Sequence, residues 1–287
     1  MLTRIITGAV LVAALAVLCF FSNTLAFPIA MGLLALVGIN EMLGCLRLRK
    51  NFVISFSLYI LAAVMTTLSC MVKDPSLFIV EYCSILFMVL VILFSAAVFS
   101  NGRLPIDKVC ISFTTAAYIL TGFLSLTLLR YMTVEINGET VEVGKYVYLI
   151  AFLAPWITDT FAYFTGMLFG RHKLIPEVSP KKTVEGAIGG TLFCIIFVSV
   201  YGWLVNKYLA GGALPPVYVF AVLGLFVALV SQVGDLIFSL IKRKYGIKDY
   251  GIIFPGHGGV LDRFDSIIAV APMVLIICVS VFTFNLF

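Results

Sequence analysis

Two aspartates stand inside segments that are otherwise apolar: Asp159 in "APWITDTFAYFTG" and Asp235 in "SQVGDLIFSLIKRK". A carboxylate within a membrane-spanning stretch costs roughly 2.5–3.5 kcal/mol on insertion scales, so each is a candidate functional residue. The competing reading is an aspartate satisfied by its neighbours, which for Asp159 are Thr158 and Thr160. Ser231, Asp235 and Ser239 recur at i, i+4 and i+8, a spacing that a helix displays on one face. That polar stripe leads into Lys242 and Arg243, then into the eighteen-residue stretch "KDYGIIFPGHGGVLDRFD". The stretch holds three carboxylates (Asp249, Asp262, Asp265), two cations (Lys248, Arg263), one histidine (His257) and four glycines. Asp262 and Asp265 share a face if a helix begins there. Asp235 and Asp262 then end two helices that flank one loop. Carboxylates converging beside cations suit a hard divalent ion, and Mg²⁺ takes one or two carboxylates plus substrate phosphates.

Two further segments point to phosphate. In "PGHGG", Gly256, Gly258 and Gly259 leave backbone N–H groups with little steric cover, so an anion can approach closely. The plain alternative is a flexible turn. In "SPKKTVEG", Lys181, Lys182 and Thr183 come just before an apolar run, so they meet a helix N-terminus, a natural anion site. His257 is a candidate phosphate contact or proton carrier, or else a cap of the turn. His172 has no evident partner and reads as a surface residue. A polyphosphate with Mg²⁺ satisfies this whole set, and intramembrane carboxylates beside it suggest that the other reactant arrives from the lipid.

The elements that must position these residues are spanning helices. Of 287 residues 62% are hydrophobic and 11% charged, with a mean hydropathy of +1.15, which excludes a soluble globular domain. The expected fold class is an all-α polytopic membrane protein of about nine transmembrane helices. Candidate spans lie near 3–22, 25–43, 52–71, 77–99, 110–130, 146–169, 186–206, 216–241 and 266–286. The first run has a basic end at Arg4 but no cleavage motif follows, so it reads as an uncleaved span. With the N-terminus cytoplasmic, 15 of the 19 lysines and arginines fall on the cytoplasmic side, and Lys73, Arg130, Lys145 and Lys207 fall outside. The C-terminus then lies on the opposite side. "VEINGETVEVGK" (134–145) reads as an outside β-hairpin turning at Asn137–Gly138. The seven cysteines are scattered, without CxxC, and read as small packing residues. The chain reads as a single membrane domain. Its residues 1–130 are N-terminal helices, and 146–287 form a catalytic half with cytoplasmic loops at 170–185 and 242–265.

From Ser239 to Asp265 the sequence "SLIKRKYGIKDYGIIFPGHGGVLDRFD" closely resembles the signature of the phosphatidate cytidylyltransferase (CDP-diacylglycerol synthase) family, S-x-x-K-R-x(4)-K-D followed by P-G-H-G-G-x-x-D-R-x-D. "SPKKTVEG" and "SQVGD" look like family segments, and the length suits a bacterial member; the first hundred or so residues resemble it only in hydrophobicity. The resemblance implies transfer of the cytidylyl group of CTP to phosphatidic acid, releasing pyrophosphate, with Mg²⁺ and room for a second metal ion. It implies that Asp235 and Asp262 hold metal, with Asp249 and Asp265 as second choices for metal or for orienting Arg263. Lys242, Arg243, Lys248 and Arg263 would bind phosphates, with Ser239 and the glycine-rich turn beside them. Lys181, Lys182 and Thr183 would hold the triphosphate or the lipid phosphate, and Asp159 would contact cytidine or shape the pocket. The implied setting is the bacterial cytoplasmic membrane, with the site facing the cytoplasm. The partners are CTP, phosphatidic acid, the bilayer and a second copy in a homodimer, with no nucleic acid. The alternatives are a CTP-dependent polyprenol kinase, which would release CDP, an ion-coupled transporter, and an intramembrane aspartyl protease. "QVGD" lacks the extra glycine of the protease pattern, and the polar residues crowd one face where a transport path would spread them.

Overall fold

The computed structural model describes residues 2–71, 75–136 and 138–284. Lys73 and Asn137 lie outside the described residues, as does the side chain of Arg4. The helices are α1 (Leu2–Phe20), α2 (Ala26–Cys45), α3 (Phe52–Met71), α4 (Pro75–Phe99), α5 (Ile106–Arg130), α6 (Gly144–Phe169), α7 (Val184–Tyr208), α8 (Val217–Lys244) and α9 (Leu261–Thr283). Eight of these, α2 to α9, are long and apolar enough to cross a bilayer; α1 is apolar over the shorter stretch Thr7–Phe20. The chain is therefore an all-α, multi-pass architecture of eight to nine spanning helices. Two short antiparallel ribbons interrupt it: β1 (Val134–Ile136) with β2 (Glu139–Val141), and β3 (Lys173–Ile175) with β4 (Ser179–Thr183). The first is the expected hairpin. The second lies within the basic loop expected at 170–185.

The helices extend further into the polar segments than hydrophobicity alone predicts. α8 has 28 residues. At 1.5 Å per residue it is about 42 Å long, more than the roughly 30 Å of hydrocarbon. Its last turns, with Lys242 and Arg243, therefore reach into the polar region. α9 begins at Leu261, five residues before the apolar run, so Asp262 and Asp265 both lie within its first two turns.

Packing groups the chain into two compact units. The first comprises residues 1–127 and 244–264, the second residues 128–243 and 265–287. Within the first, α1 packs on α2, α2 on α3 and α3 on α4. Its core includes Phe27, Met31, Ile39, Leu58, Leu61 and Phe123, each at most 1% exposed. Within the second, α6 packs closely on α7. Small residues make that possible, because a Cβ on Gly186 would come 2.6 Å from the Ala162 carbonyl oxygen and one on Gly190 2.6 Å from that of Thr158. Farther along the pair, the rings of Phe161 and Phe193 stack with centroids 4.0 Å apart.

Candidate active site

In the second unit, β4 runs straight into α7. Thr183 ends the strand and is the N-cap of the helix, its hydroxyl accepting from Gly186 N at 3.1 Å. The pair Lys181–Lys182 is thus delivered to a helix N-terminus by a strand. Both lysines and Thr183 line a cavity of about 350 Å³ together with Asp159 and Gln232. Tyr163, Met167 and Leu174 give the same cavity an apolar wall. Gln232 is held by Thr191, to whose hydroxyl its amide donates at 3.0 Å.

Asp159 opens onto the cavity, and its neighbour Thr158 does not satisfy it. Thr158 is fully buried and donates to the Ala154 carbonyl at 2.8 Å. Asp235 pairs with Lys182, Oδ2 to Nζ at 2.6 Å, and accepts from Ser239 Oγ at 3.3 Å through Oδ1. The i, i+4 stripe is therefore a real hydrogen-bonding face. The side chain of Asp265 interacts with that of Asp235. Gly234 allows this contact: a Cβ there would lie 2.6 Å from that of Ala269 and 3.1 Å from the Asp265 carbonyl oxygen, so α8 and α9 approach closely at this level. Asp159 and Lys242 add their fields to the same group. At the edge, Arg243 Nε donates to the Val178 carbonyl at 3.4 Å and ties α8 to the β3–β4 ribbon.

Two carboxyl groups in contact need either a shared proton or a cation between them. Among the described residues no group of three or more His, Cys, Asp or Glu side chains forms a metal cage. A pair of carboxylates beside an open cavity fits the other mode, in which Mg²⁺ takes one or two carboxylates and completes its shell with phosphate oxygens and water.

In the first unit, the glycine-rich loop is a built structure and not a flexible turn. Phe254, Pro255, Gly256 and His257 form a turn closed by His257 N donating to Phe254 O at 2.8 Å. Pro precedes a Gly at φ +76°, the arrangement of a type II turn. Phe254 N returns to Gly258 O at 2.9 Å, and Gly258 has φ +84°. Asp262 Oδ2 accepts from Tyr250 N at 2.8 Å and from Gly259 N at 2.9 Å. Arg263 Nε donates to the His257 carbonyl at 2.8 Å. Hence two of the amides that the sequence offered to a phosphate, His257 N and Gly259 N, already serve the chain itself. Among the described residues, His257 Nδ1 is buried without a hydrogen-bond partner. Lys248 and Asp249 are exposed on the segment after α8.

Two partnerships were not foreseen. His172, expected to stand alone, has its Nδ1 2.6 Å from Glu185 Oε1 on the first turn of α7; it remains largely exposed. Glu41, on α2, is 2% exposed and accepts from Val260 N and Leu261 N at 2.9 Å each. The signal was available, because an ionisable residue in the apolar run "LLALVGINEMLGC" falls under the rule that singled out Asp159.

A model of the Cytidylyltransferase family matches residues 2–281 of this chain. The chain is 32% identical over 275 residues to the phosphatidate cytidylyltransferase of Thermotoga maritima, a match that covers 96% of this chain and 95% of that one. It is 37% identical over 190 residues to the phosphatidate cytidylyltransferase of Staphylococcus saprophyticus, and the match covers 66% of each chain. Against the enzyme of the same name from Staphylococcus aureus the identity is 38% over 189 residues, again 66% of each chain.

Proposed function

The chain belongs to the cytidylyltransferase family, and from that premise we propose that it is a phosphatidate cytidylyltransferase, which converts CTP and phosphatidic acid to CDP-diacylglycerol and pyrophosphate for phospholipid biosynthesis. A phosphate oxygen of the lipid attacks the α-phosphorus of CTP. The new P–O bond forms as the bond from that phosphorus to the bridging oxygen of the β-phosphate breaks, and pyrophosphate leaves. The attacking group is already an anion, so no side chain need act as nucleophile.

The observation that carries this reading is the grouping in the second unit. Asp235 is paired at 2.6 Å with Lys182, which lines a cavity together with Asp159, Lys181 and Thr183, and its side chain also interacts with that of Asp265. Lys182 holds the Asp235 charge before substrate arrives, and its other N–H donors suit a phosphate oxygen. Lys181 and the N-terminus of α7 bind the same anion, and Lys242 and Arg243 of α8 supply further phosphate contacts; for Lys248 and Arg263, in the first unit, a phosphate role rests on the sequence resemblance. From the sequence resemblance, Asp235 and Asp262 would hold Mg²⁺, and Asp265, whose side chain interacts with that of Asp235, is the second choice. When bound, the ion neutralises the triphosphate and stabilises the leaving pyrophosphate. The apolar wall of Tyr163, Met167 and Leu174 supports a reactant that enters from the lipid. The positive bias of the loops, 15 of 19 lysines and arginines, supports a site that faces the cytoplasm in a bacterial inner membrane.

The test is an assay on purified protein with phosphatidic acid, labelled CTP and Mg²⁺. Label should enter lipid in step with released pyrophosphate. Chelating the metal, or Asp235→Asn in protein that still folds, should abolish both. Release of CDP with a polyprenol acceptor would instead identify a lipid kinase, and near-normal turnover by Asp235→Asn would remove that residue from the site.

A further inference from the structure

We infer that Glu41 is a positioning residue for the reaction: its carboxylate occupies the N-terminus of α9 from a distant helix and fixes the glycine-rich loop and Asp262 in place. No part of the 239–265 signature contains it. The first N–H groups of a helix have no partner within the helix and carry its positive end. In α9 they do not await an anion. Oε1 of Glu41 takes Val260 N and Oε2 takes Leu261 N, both at 2.9 Å, which is the bidentate grip a phosphate would otherwise make. Asp262 completes the arrangement by taking Gly259 N and Tyr250 N, so two carboxylates of the protein hold four amides of one loop.

The glycines report the same fact. A Cβ on Gly251 would lie 2.9 Å from the Glu41 carboxyl carbon and closer still to Oε1, and a Cβ on Gly259 would also collide with that carboxylate. Both positions have to be small because the Glu41 carboxylate passes between them. Only Gly256 and Gly258 of this loop owe their identity to positive φ. The buried charge of Glu41 is balanced from two directions. The helix end is one; Arg49 is the other, its Nε bonded to the Asn40 carbonyl at 2.8 Å and its field acting on the carboxylate. The consequence is a division of labour. The α9 terminus is closed to substrate, and the polyphosphate is left to the lysines, the arginines and the metal.

The inference rests on the proposed role of Asp262, and the test separates the two. Glu41→Gln keeps the shape but turns an amide NH₂ toward a backbone N–H, so one of the two bonds is lost. Hydrogen–deuterium exchange on the full-length protein should show peptides covering 249–262 exchanging about tenfold faster, the loss of one charge-assisted bond, with α6 and α7 unchanged. Turnover should fall by about tenfold or more at saturating substrates, while the KM values for CTP and phosphatidic acid change much less. Glu41→Asp, one methylene shorter, should recover part of the rate, and more of it when combined with Gly251→Ala, whose Cβ fills the vacated space. Wild-type exchange and turnover in Glu41→Gln would overturn the inference. So would loss of protection throughout the molecule, which would make Glu41 a residue of general stability, or strictly additive effects of Glu41→Asp and Gly251→Ala. Asp262→Asn serves as the separate control. Full activity in that variant would sink the role of Asp262 while leaving the exchange result for Glu41 standing.

Discussion

The site residues divide by what their partners are. Lys182 and Asp235 are 53 positions apart in the chain yet form an ion pair at 2.6 Å, and each side chain is about a quarter exposed. Lys181 is its exposed neighbour on β4, with no ion pair or hydrogen bond of its side chain among the described residues, so Lys181→Ala should raise the apparent KM for the anion it binds by about tenfold, one lost phosphate contact, with kcat little changed. Steady-state kinetics in each substrate would show it, and a pure kcat effect would shift the role to the transition state. Thr183 has a second duty as the N-cap of α7. Thr183→Ala should cost about 1 kcal/mol of stability and Thr183→Ser almost none, as thermal unfolding in detergent would report. Asp159, Asp235, Lys181, Lys182 and Thr183 were all legible in the sequence, because polar residues beside or within apolar runs have few structural reasons to be there. Glu41 was not recognised, since its partners are backbone amides 219 and 220 residues away and no side-chain pattern surrounds it.

At the scale of elements, two close approaches set the geometry. The glycines of α7 let it lie against α6, and Gly234 lets α8 meet α9 at the level of Asp235 and Asp265. Gly234→Val should force these helices apart, at about 1–3 kcal/mol of overpacking. Activity should fall further than stability does, because the carboxyl pair is lost before the fold is. Parallel measurements of turnover and melting temperature would decide it, and a fully active Gly234→Val variant would mean that the Asp235–Asp265 contact is dispensable. The helices themselves were readable from hydrophobic runs. The start of α9 was readable only conditionally, because "VLDRFD" mixes charged and apolar residues and its first amides are held by Glu41, far away in the sequence. The β3–β4 ribbon was missed for a related reason. A five-residue strand of Ser, Pro, Lys and Thr has no apolar alternation and forms by pairing with β3 and running into α7.

For the whole molecule, the spanning helices and the charge bias make a testable topology. Single cysteines placed at Lys173 or Lys248 in a cysteine-free background should be labelled from the cytoplasmic side, and one at Glu139 in the β1–β2 hairpin only from the opposite side. Labelling of all three from one side would break the alternation of spans and the orientation with it. The sequence by itself determined that the chain is a multi-pass helical membrane protein. It also singled out the polar segments proposed to carry phosphate chemistry, because burying charge in hydrocarbon is costly enough that its exceptions stand out. Only the tertiary structure decided the pairings: Lys182 with Asp235, Asp235 with Asp265, and Glu41 with the end of α9. Such contacts depend on how closely two helices approach and on which backbone amides lack a partner, and neither quantity is local in the chain.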